Sequence, residues 1–209
     1  MNRGQQMLPN ESQIAFKEWA VTVDALAQGQ QVLLLRKGGI HEVTKDFRVA
    51  HPEFLLYPTY EHQKEDLLKP ASQHLLRQTL MQPRAPDTVT FSYWAQVTET
   101  IKVAEPQKVQ ELSKYHIWTN EYTDSRLRWK PMVPLSIMLL RVYELESPIT
   151  IPWIKEYSGC TSWVEIMPKI GLGHLKPAMN DIEYQRHISD IKSCLGLNAA
   201  GDQPQNCGI

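Results

Sequence analysis

Between residues 88 and 103 the chain alternates apolar and polar side chains with period two. Val89, Phe91, Tyr93, Ala95, Val97, Ile101 and Val103 fall on one face, and Thr88, Thr90, Ser92, Gln96, Thr98, Thr100 and Lys102 on the other, with Trp94 as the exception. Successive side chains of a strand point to opposite faces, so this pattern calls for one long strand with a wet face, bent or interrupted by a bulge. A strand of that length needs a sheet around it. Residues 135–145 repeat a buried-strand pattern, and 148–153 continue it as extended chain.

Two shorter apolar runs supply further strands. Val32-Leu33-Leu34-Leu35 ends in Arg36-Lys37-Gly38-Gly39, and Phe54-Leu55-Leu56-Tyr57 ends in Pro58-Thr59-Tyr60-Glu61-His62-Gln63-Lys64. Short apolar runs bounded by turn formers read as strands buried on both faces. Residues 47–50 begin the second strand, with a bend at His51-Pro52, because proline cannot donate to a central ladder. Residues 40–46 read as a hairpin loop or short edge strand. Residues 161–166 form a strand after the Ser158-Gly159 turn.

The helical readings are as follows. Ser12 is an N-cap candidate, with Phe16, Trp19, Ala20, Val23 and Ala27 at helical spacing behind it. Lys17, Glu18 and Asp24 fall on the opposite face, and Gly29 is the stop. Residues 65–81 form a second helix, reset by Pro70 and firm from 71 onward. Residues 105–115 form a short third helix with Pro106 near its start. Asn180 and Glu183 make a capping-box-like start for a last helix, with Tyr184, Ile188, Ile191 and Leu195 as its stripe and Gly196 as its end. Residues 120–134 and 168–179 read as loops.

There is no regular alternation of strand and helix, so a doubly wound sheet is disfavoured. The expected fold class is α+β: a bent, mostly antiparallel sheet, with barrel-like closure left open, packed by the first and last helices. Residues 12–197 form a single domain between a lead-in at 1–11 and a tail at 198–209. The expected core includes Phe16, Trp19, Val23, Leu33, Leu35, Leu55, Phe91, Leu139, Val142 and Ile188.

A net charge of -1 gives no global field for nucleic acid or an anionic membrane, so binding of either kind would need a local patch. Cys160, Cys194 and Cys207 are odd in number and widely spaced, which fits a reducing compartment and neither a disulfide framework nor a structural zinc. The first ten residues are polar and lack a signal core, and the apolar-rich run 134–145 is too short for a bilayer and contains Arg141. The expectation is a soluble cytoplasmic protein with no membrane partner.

The polar strand ends carry the candidate chemistry. Arg36, Lys37, Gly38 and Gly39 combine cations with a backbone that lets a ligand approach, which suits phosphate or carboxylate. The bland alternative is a tight turn with solvated charges. Tyr57, Tyr60, Glu61, His62, Gln63 and Lys64 could stack on a base or place an acid or base beside a substrate. They could equally be strand-end rings with wet hydroxyls. Arg126 and Arg128 interleave with Trp129 and Lys130 in a composition that suits single-stranded nucleic acid. Cys160 has its nearest histidine at His174, across a glycine-rich loop, and reads as inert. His51, Glu53, Glu61 and His62 lack an established ligand spacing, so no metal is assigned, and the residues leave any cofactor unknown.

If the two short strands are neighbours, their charged ends meet. The function expected is then a nucleic-acid- or nucleotide-binding module with a basic and aromatic cleft, its partner RNA or single-stranded DNA. The alternative is a metal-assisted phosphoester or nucleotide-processing enzyme. There Arg36 and Lys37 would hold the phosphate, and His62 with Glu61 would do acid–base work or bind metal. An adaptor with an exposed apolar patch is a third class. Arg36 is expected to pair with Glu53 or Glu61, or to face an anion.

Four runs carry a resemblance: Lys17-Glu18-Trp19-Ala20, Leu34-Leu35-Arg36-Lys37-Gly38-Gly39-Ile40, Phe54-Leu55-Leu56-Tyr57-Pro58-Thr59-Tyr60-Glu61-His62-Gln63 and Leu140-Arg141-Val142-Tyr143. They resemble an uncharacterised bacterial and archaeal domain-of-unknown-function family, common in cyanobacteria, over nearly the whole chain. That family implies no activity. A second resemblance is to small β-barrels of the PUA and ASCH type. In those a helix leads into a strand bearing a G-x-x-x-x-x-x-R-like element, and the cleft binds RNA or a modified base. Gly29 and Arg36 stand at that spacing.

Overall fold

The computed structural model describes residues 8–37, 49–159 and 161–197. Gly38, Gly39, Cys160, the reading of 40–46 and the proposed tail lie outside the described residues. The elements run β1 Glu11–Trp19, α1 Ala20–Ala27, β2 Leu33–Arg36, β3 Glu53–Thr59, α2 Gln73–Met81, β4 Thr88–Val103, α3 Pro106–Glu111, α4 Asn120–Arg128, β5 Leu135–Pro152, β6 Trp163–Gly171, β7 Lys176–Pro177 and α5 Asp181–Cys194. This is the α+β class expected from the pattern. The strands form one sheet in the order β2-β5-β4-β3-β1-β6, with β7 added to β5. Every pairing is antiparallel except β1 with β3. The path does not close, so the sheet is curved but not a barrel.

The long alternating strand is β4, and it pairs with β5 along most of its length. Its register slips between Phe91 and Tyr93, and again between Val97 and Glu99. The first slip accounts for Trp94. There two residues of β4 stand against five of β5, the alternation changes phase across the irregularity, and Trp94 joins Val89 and Phe91 in the smaller of two cores.

Residues 12–19 differ from the expected helix. They form strand β1, and α1 begins only at Ala20. Ala15 packs in the smaller core and Phe16 in the larger, each with no exposure. A strand inserted between β3 and β6 and covered on both faces has apolar neighbours in sequence, which a helical reading accommodates equally well. Pairing at a distance decides the matter. The helical spacing belongs to α1 alone, whose Ala20, Val21, Val23, Ala25 and Leu26 are buried.

Residues 120–128 form helix α4 rather than loop. The Thr119 hydroxyl accepts the Tyr122 N–H at 3.4 Å, a cap that the sequence reading passed over. Part of the expected 168–179 loop is strand as well, since β6 runs to Gly171 and β7 follows at Lys176–Pro177. The last helix starts as expected, with Asn180 Oδ1 accepting the Glu183 N–H at 2.9 Å. Of the expected core residues, Phe16, Val23, Leu33, Leu35, Leu55, Phe91, Leu139 and Val142 are buried; Trp19 and Ile188 are partly buried against the larger core. Each fully buried Leu or Phe contributes about 1.5–3 kcal/mol. Among the described residues no helix is long and apolar enough to cross a membrane.

β2 and β3 are not neighbours. β2 pairs only with β5 in the strand order, while β3 lies between β4 and β1. The two charged strand ends nevertheless approach each other, because the sheet curls and brings the end of β2 over β1.

Candidate functional site

The parallel pair β1 and β3 ends in register, with Lys17 opposite Tyr57, Glu18 opposite Pro58 and Trp19 opposite Thr59. From there β1 turns directly into α1, and β3 turns through Tyr60-Glu61-His62-Gln63. The turn is held from both sides. The Thr59 hydroxyl donates to the Glu18 carbonyl at 3.0 Å, and Gln63 Oε1 accepts the Val21 N–H at 2.9 Å. That second bond satisfies a donor at the first turn of α1, which no local side chain caps. His62 takes a left-handed φ of 62°, a conformation in which histidine is over-represented among non-glycine residues.

A cleft of about 880 Å³ opens over this end of the sheet. Lys17, Glu18 and Trp19 line it from β1, Arg36 from β2, and Tyr57, Tyr60, Glu61 and His62 from β3 and its turn. Arg84, Tyr93, Arg126, Trp153 and Tyr157 complete the wall. Of the residues expected to bind ligand, Arg36, Tyr57, Tyr60, Glu61, His62 and Arg126 are therefore brought together. Lys37, Gln63, Lys64 and Arg128 are not in the wall, and Gly38 and Gly39 lie outside the described residues. The wall carries four cationic side chains, Lys17, Arg36, Arg84 and Arg126, against three carboxylates, Glu18, Asp24 and Glu61. It is locally positive in a chain whose net charge is -1.

One group of contacts centres on Arg36. Its Nη2 donates to Glu18 Oε2 at 2.7 Å and to the Lys17 carbonyl at 2.8 Å, and its guanidinium lies 4.4 Å from the Phe16 ring centre. The partner is thus Glu18, not Glu53 or Glu61. Glu53 instead accepts from Gln96 Nε2 at 3.1 Å, and Glu61 is exposed on the turn. The expectation placed Arg36 beside β3, whereas curvature sets it against β1. Glu18 Oε1 also accepts the Trp19 N–H at 2.8 Å. Nearby, Arg126 Nη2 donates to the Tyr122 hydroxyl at 3.0 Å and its guanidinium lies 4.9 Å from that ring's centre. Burial raises the Tyr122 phenol above its ordinary pKa, while Arg126 works in the opposite direction.

Lys37 faces away from the cleft. It is buried, and its Nζ donates to the Leu127 carbonyl at 2.7 Å. An ammonium at the carbonyl end of α4 is favoured by the helix dipole, although burial lowers its pKa. Its job is to tie β2 to α4.

A second group centres on Tyr60. The Arg84 guanidinium lies 3.7 Å from the Tyr60 ring centre. Arg84 was missed because Gln82 to Asp87, with its two prolines, reads as a linker or turn; the signal available was a cation flanked by prolines, which extended chain presents outward. Trp153 stands 42% exposed in the same wall. Tyr57 is pushed up to about 12, chiefly by burial, with Tyr157 and Glu61 adding to the rise and a hydrogen bond with Trp153 opposing it. Lys17 Nζ donates to the Tyr157 and Gly159 carbonyls and lies 5.6 Å from the Tyr57 ring centre. Burial also raises the Asp24 carboxyl, which the Thr79 hydroxyl contacts. Among the described residues no three His, Cys, Asp or Glu side chains converge on a metal position. His51 packs its ring 5.3 Å from that of Trp163 instead.

Two solved structures have similar chains. An ASCH protein from Zymomonas mobilis is 11% identical with a TM-score of 0.41, over 84% of this chain and 93% of that one. A mutant of the Zymomonas mobilis ASCH protein is 11% identical with a TM-score of 0.37, over 87% of this chain and 98% of that one. No curated protein matches the chain. Residues 15–190 match the family described as a domain of unknown function, DUF1802. That span takes in both strands of the parallel pair, Arg36 and the whole Tyr60 turn, and the chain belongs to the DUF1802 family.

Proposed function

We propose that this protein is a nucleic-acid- or nucleotide-binding module and that the cleft over β1 and β3 is its binding surface. The observation that carries the reading is the Arg84–Tyr60 stack at 3.7 Å, set in the same wall as Trp153 and Arg126. A planar cation laid on a phenol ring offers a flat, positively charged platform, and a nucleobase has a complementary π-face. The surrounding cations supply attraction for phosphate that the chain as a whole lacks. Single-stranded RNA or DNA fits better than a duplex, because its unstacked bases can lie on such a platform.

Fluorescence anisotropy with a labelled short single-stranded RNA tests this. Binding should be seen at low salt and should weaken steeply between roughly 50 and 200 mM. Tyr60→Ala and Arg84→Ala should each lower affinity by about 1–3 kcal/mol, the range for one base stacked on a side chain. Folded protein that binds neither RNA nor single-stranded DNA at low salt would remove the proposal.

A further inference from the structure

We infer that the cleft divides its ligand, with the phosphate held between Arg36 and Arg126 and the base on the Tyr60–Arg84 platform. The protein then selects nucleotides and phosphodiester strands over nucleosides and free bases. This inference rests on the binding function proposed above and adds a polarity to it.

The contacts within the wall fall into two kinds. Around Tyr60 they are flat and aromatic, involving Arg84, Tyr57 and Trp153. Around Arg126 they are cationic. Arg126 bonds the Tyr122 hydroxyl, and Arg36 stands close enough for its charge to act on the same phenol. Both arginines line the same cleft, and β2 is tied to the end of α4 by the Lys37 Nζ bond to the Leu127 carbonyl at 2.7 Å.

Arg36 is set in place before any ligand arrives. Its ring contact with Phe16 and two bonds from Nη2 fix the guanidinium plane, and the side chain is 14% exposed. Both bonds use one terminal nitrogen, and Nη1 makes none among the described residues. Glu18 offsets part of the Arg36 charge, its two carboxylate oxygens accepting from the Trp19 N–H and from Arg36, so the phosphate also needs the Arg126 guanidinium. A guanidinium held rigid, with a second one in the same wall, is suited to the tetrahedral oxygens of a phosphate.

The test compares a short single-stranded RNA with the same sequence carrying neutral methylphosphonate linkages. The charged strand should bind at least roughly tenfold more tightly, the worth of one charge-assisted hydrogen bond. Arg126→Gln should remove most of that preference, weaken the charged strand far more than the neutral one, and reduce the logarithmic salt slope by about 0.7, whereas Arg36→Lys, which keeps the charge and loses the planar head, should lower the preference with the slope retained. Tyr60→Ala should weaken both strands alike. Arg126 is only partly buried, so Arg126→Gln carries the test if Arg36→Lys does not fold. Equal losses for both strands in Arg126→Gln, or no loss for either, would overturn the division while leaving the binding function in place. Wild-type protein that binds neither strand would overturn both.

Discussion

Arg36 and Glu18 form a 2.7 Å ion pair between two strands that share no backbone hydrogen bonds. β2 begins the hydrogen-bonded path and β1 is fifth along it, so the pair spans the open side of the curled sheet. Both side chains are largely removed from water, at 14% and 8% exposure. Removing one partner leaves a charge poorly solvated. Glu18→Ala should therefore lower the free energy of unfolding by about 2–3 kcal/mol in chemical denaturation. A loss well under 1 kcal/mol would mean that the curvature is held by packing alone.

Lys37 and Arg126 should separate cleanly. Lys37→Met keeps the apolar stem and removes a buried charge that bonds the Leu127 carbonyl. It should leave RNA affinity and its salt dependence unchanged and alter stability by no more than about 1 kcal/mol. A salt slope in Lys37→Met that falls as far as in Arg126→Gln would place Lys37 in the binding surface after all.

His116 makes stability depend on acid. It is buried, packs its ring 5.5 Å from that of Trp118, and neither ring nitrogen meets a hydrogen-bond partner among the described residues. Burial, with Lys69 close by, lowers its pKa from 6.5 to about 3. The unfolded chain binds this proton at a pH where the folded chain does not. The contribution is therefore complete above pH 6.5 and is lost as pH falls toward 3, at about 1.4 kcal/mol per unit. His116→Phe should flatten the stability profile over that window. An unchanged slope would show that other groups dominate acid unfolding.

Gln63 should behave as a cap contributed from a distant part of the chain. Gln63→Ala removes the acceptor for the Val21 N–H and should cost about 1 kcal/mol, as for loss of an ordinary helix cap. Gln63→Glu should recover that stability, because a carboxylate also accepts the N–H and is favoured at a helix N-terminus. Equal losses in the two variants would show that the bond contributes little.

Much of the fold was written locally. β4 was legible through alternation, β3 and β5 through apolar runs, and α5 through the Asn180 cap and the Tyr184 to Leu195 stripe. These signals live within one or two turns or a few strand residues, so neighbours in sequence suffice to carry them. β1 was not legible, because a strand covered on both faces loses its alternation. α4 was not, because the Thr119 cap stands before a stretch of polar and cationic residues that reads equally well as loop. In the cleft, Arg36, Tyr57, Tyr60, Glu61, His62 and Arg126 could be nominated by residue type, but Gln63 and Lys37 could not be told apart from them. Residue type alone does not reveal that Gln63 accepts the Val21 N–H or that Lys37 donates to the Leu127 carbonyl.

What the sequence determined by itself, then, was the elements with strong local periodicity, the α+β class, and a set of polar strand ends rich in cations and rings. What only the tertiary structure decided was strand order, the parallel pairing of β1 with β3, the Glu18 partner of Arg36, and the approach of Arg84 to Tyr60. Each of these joins residues far apart in sequence, and each depends on how far the sheet curls. Curling is set by accumulated twist and by the two register slips between β4 and β5, quantities summed over the whole sheet, and no single stretch of residues encodes them.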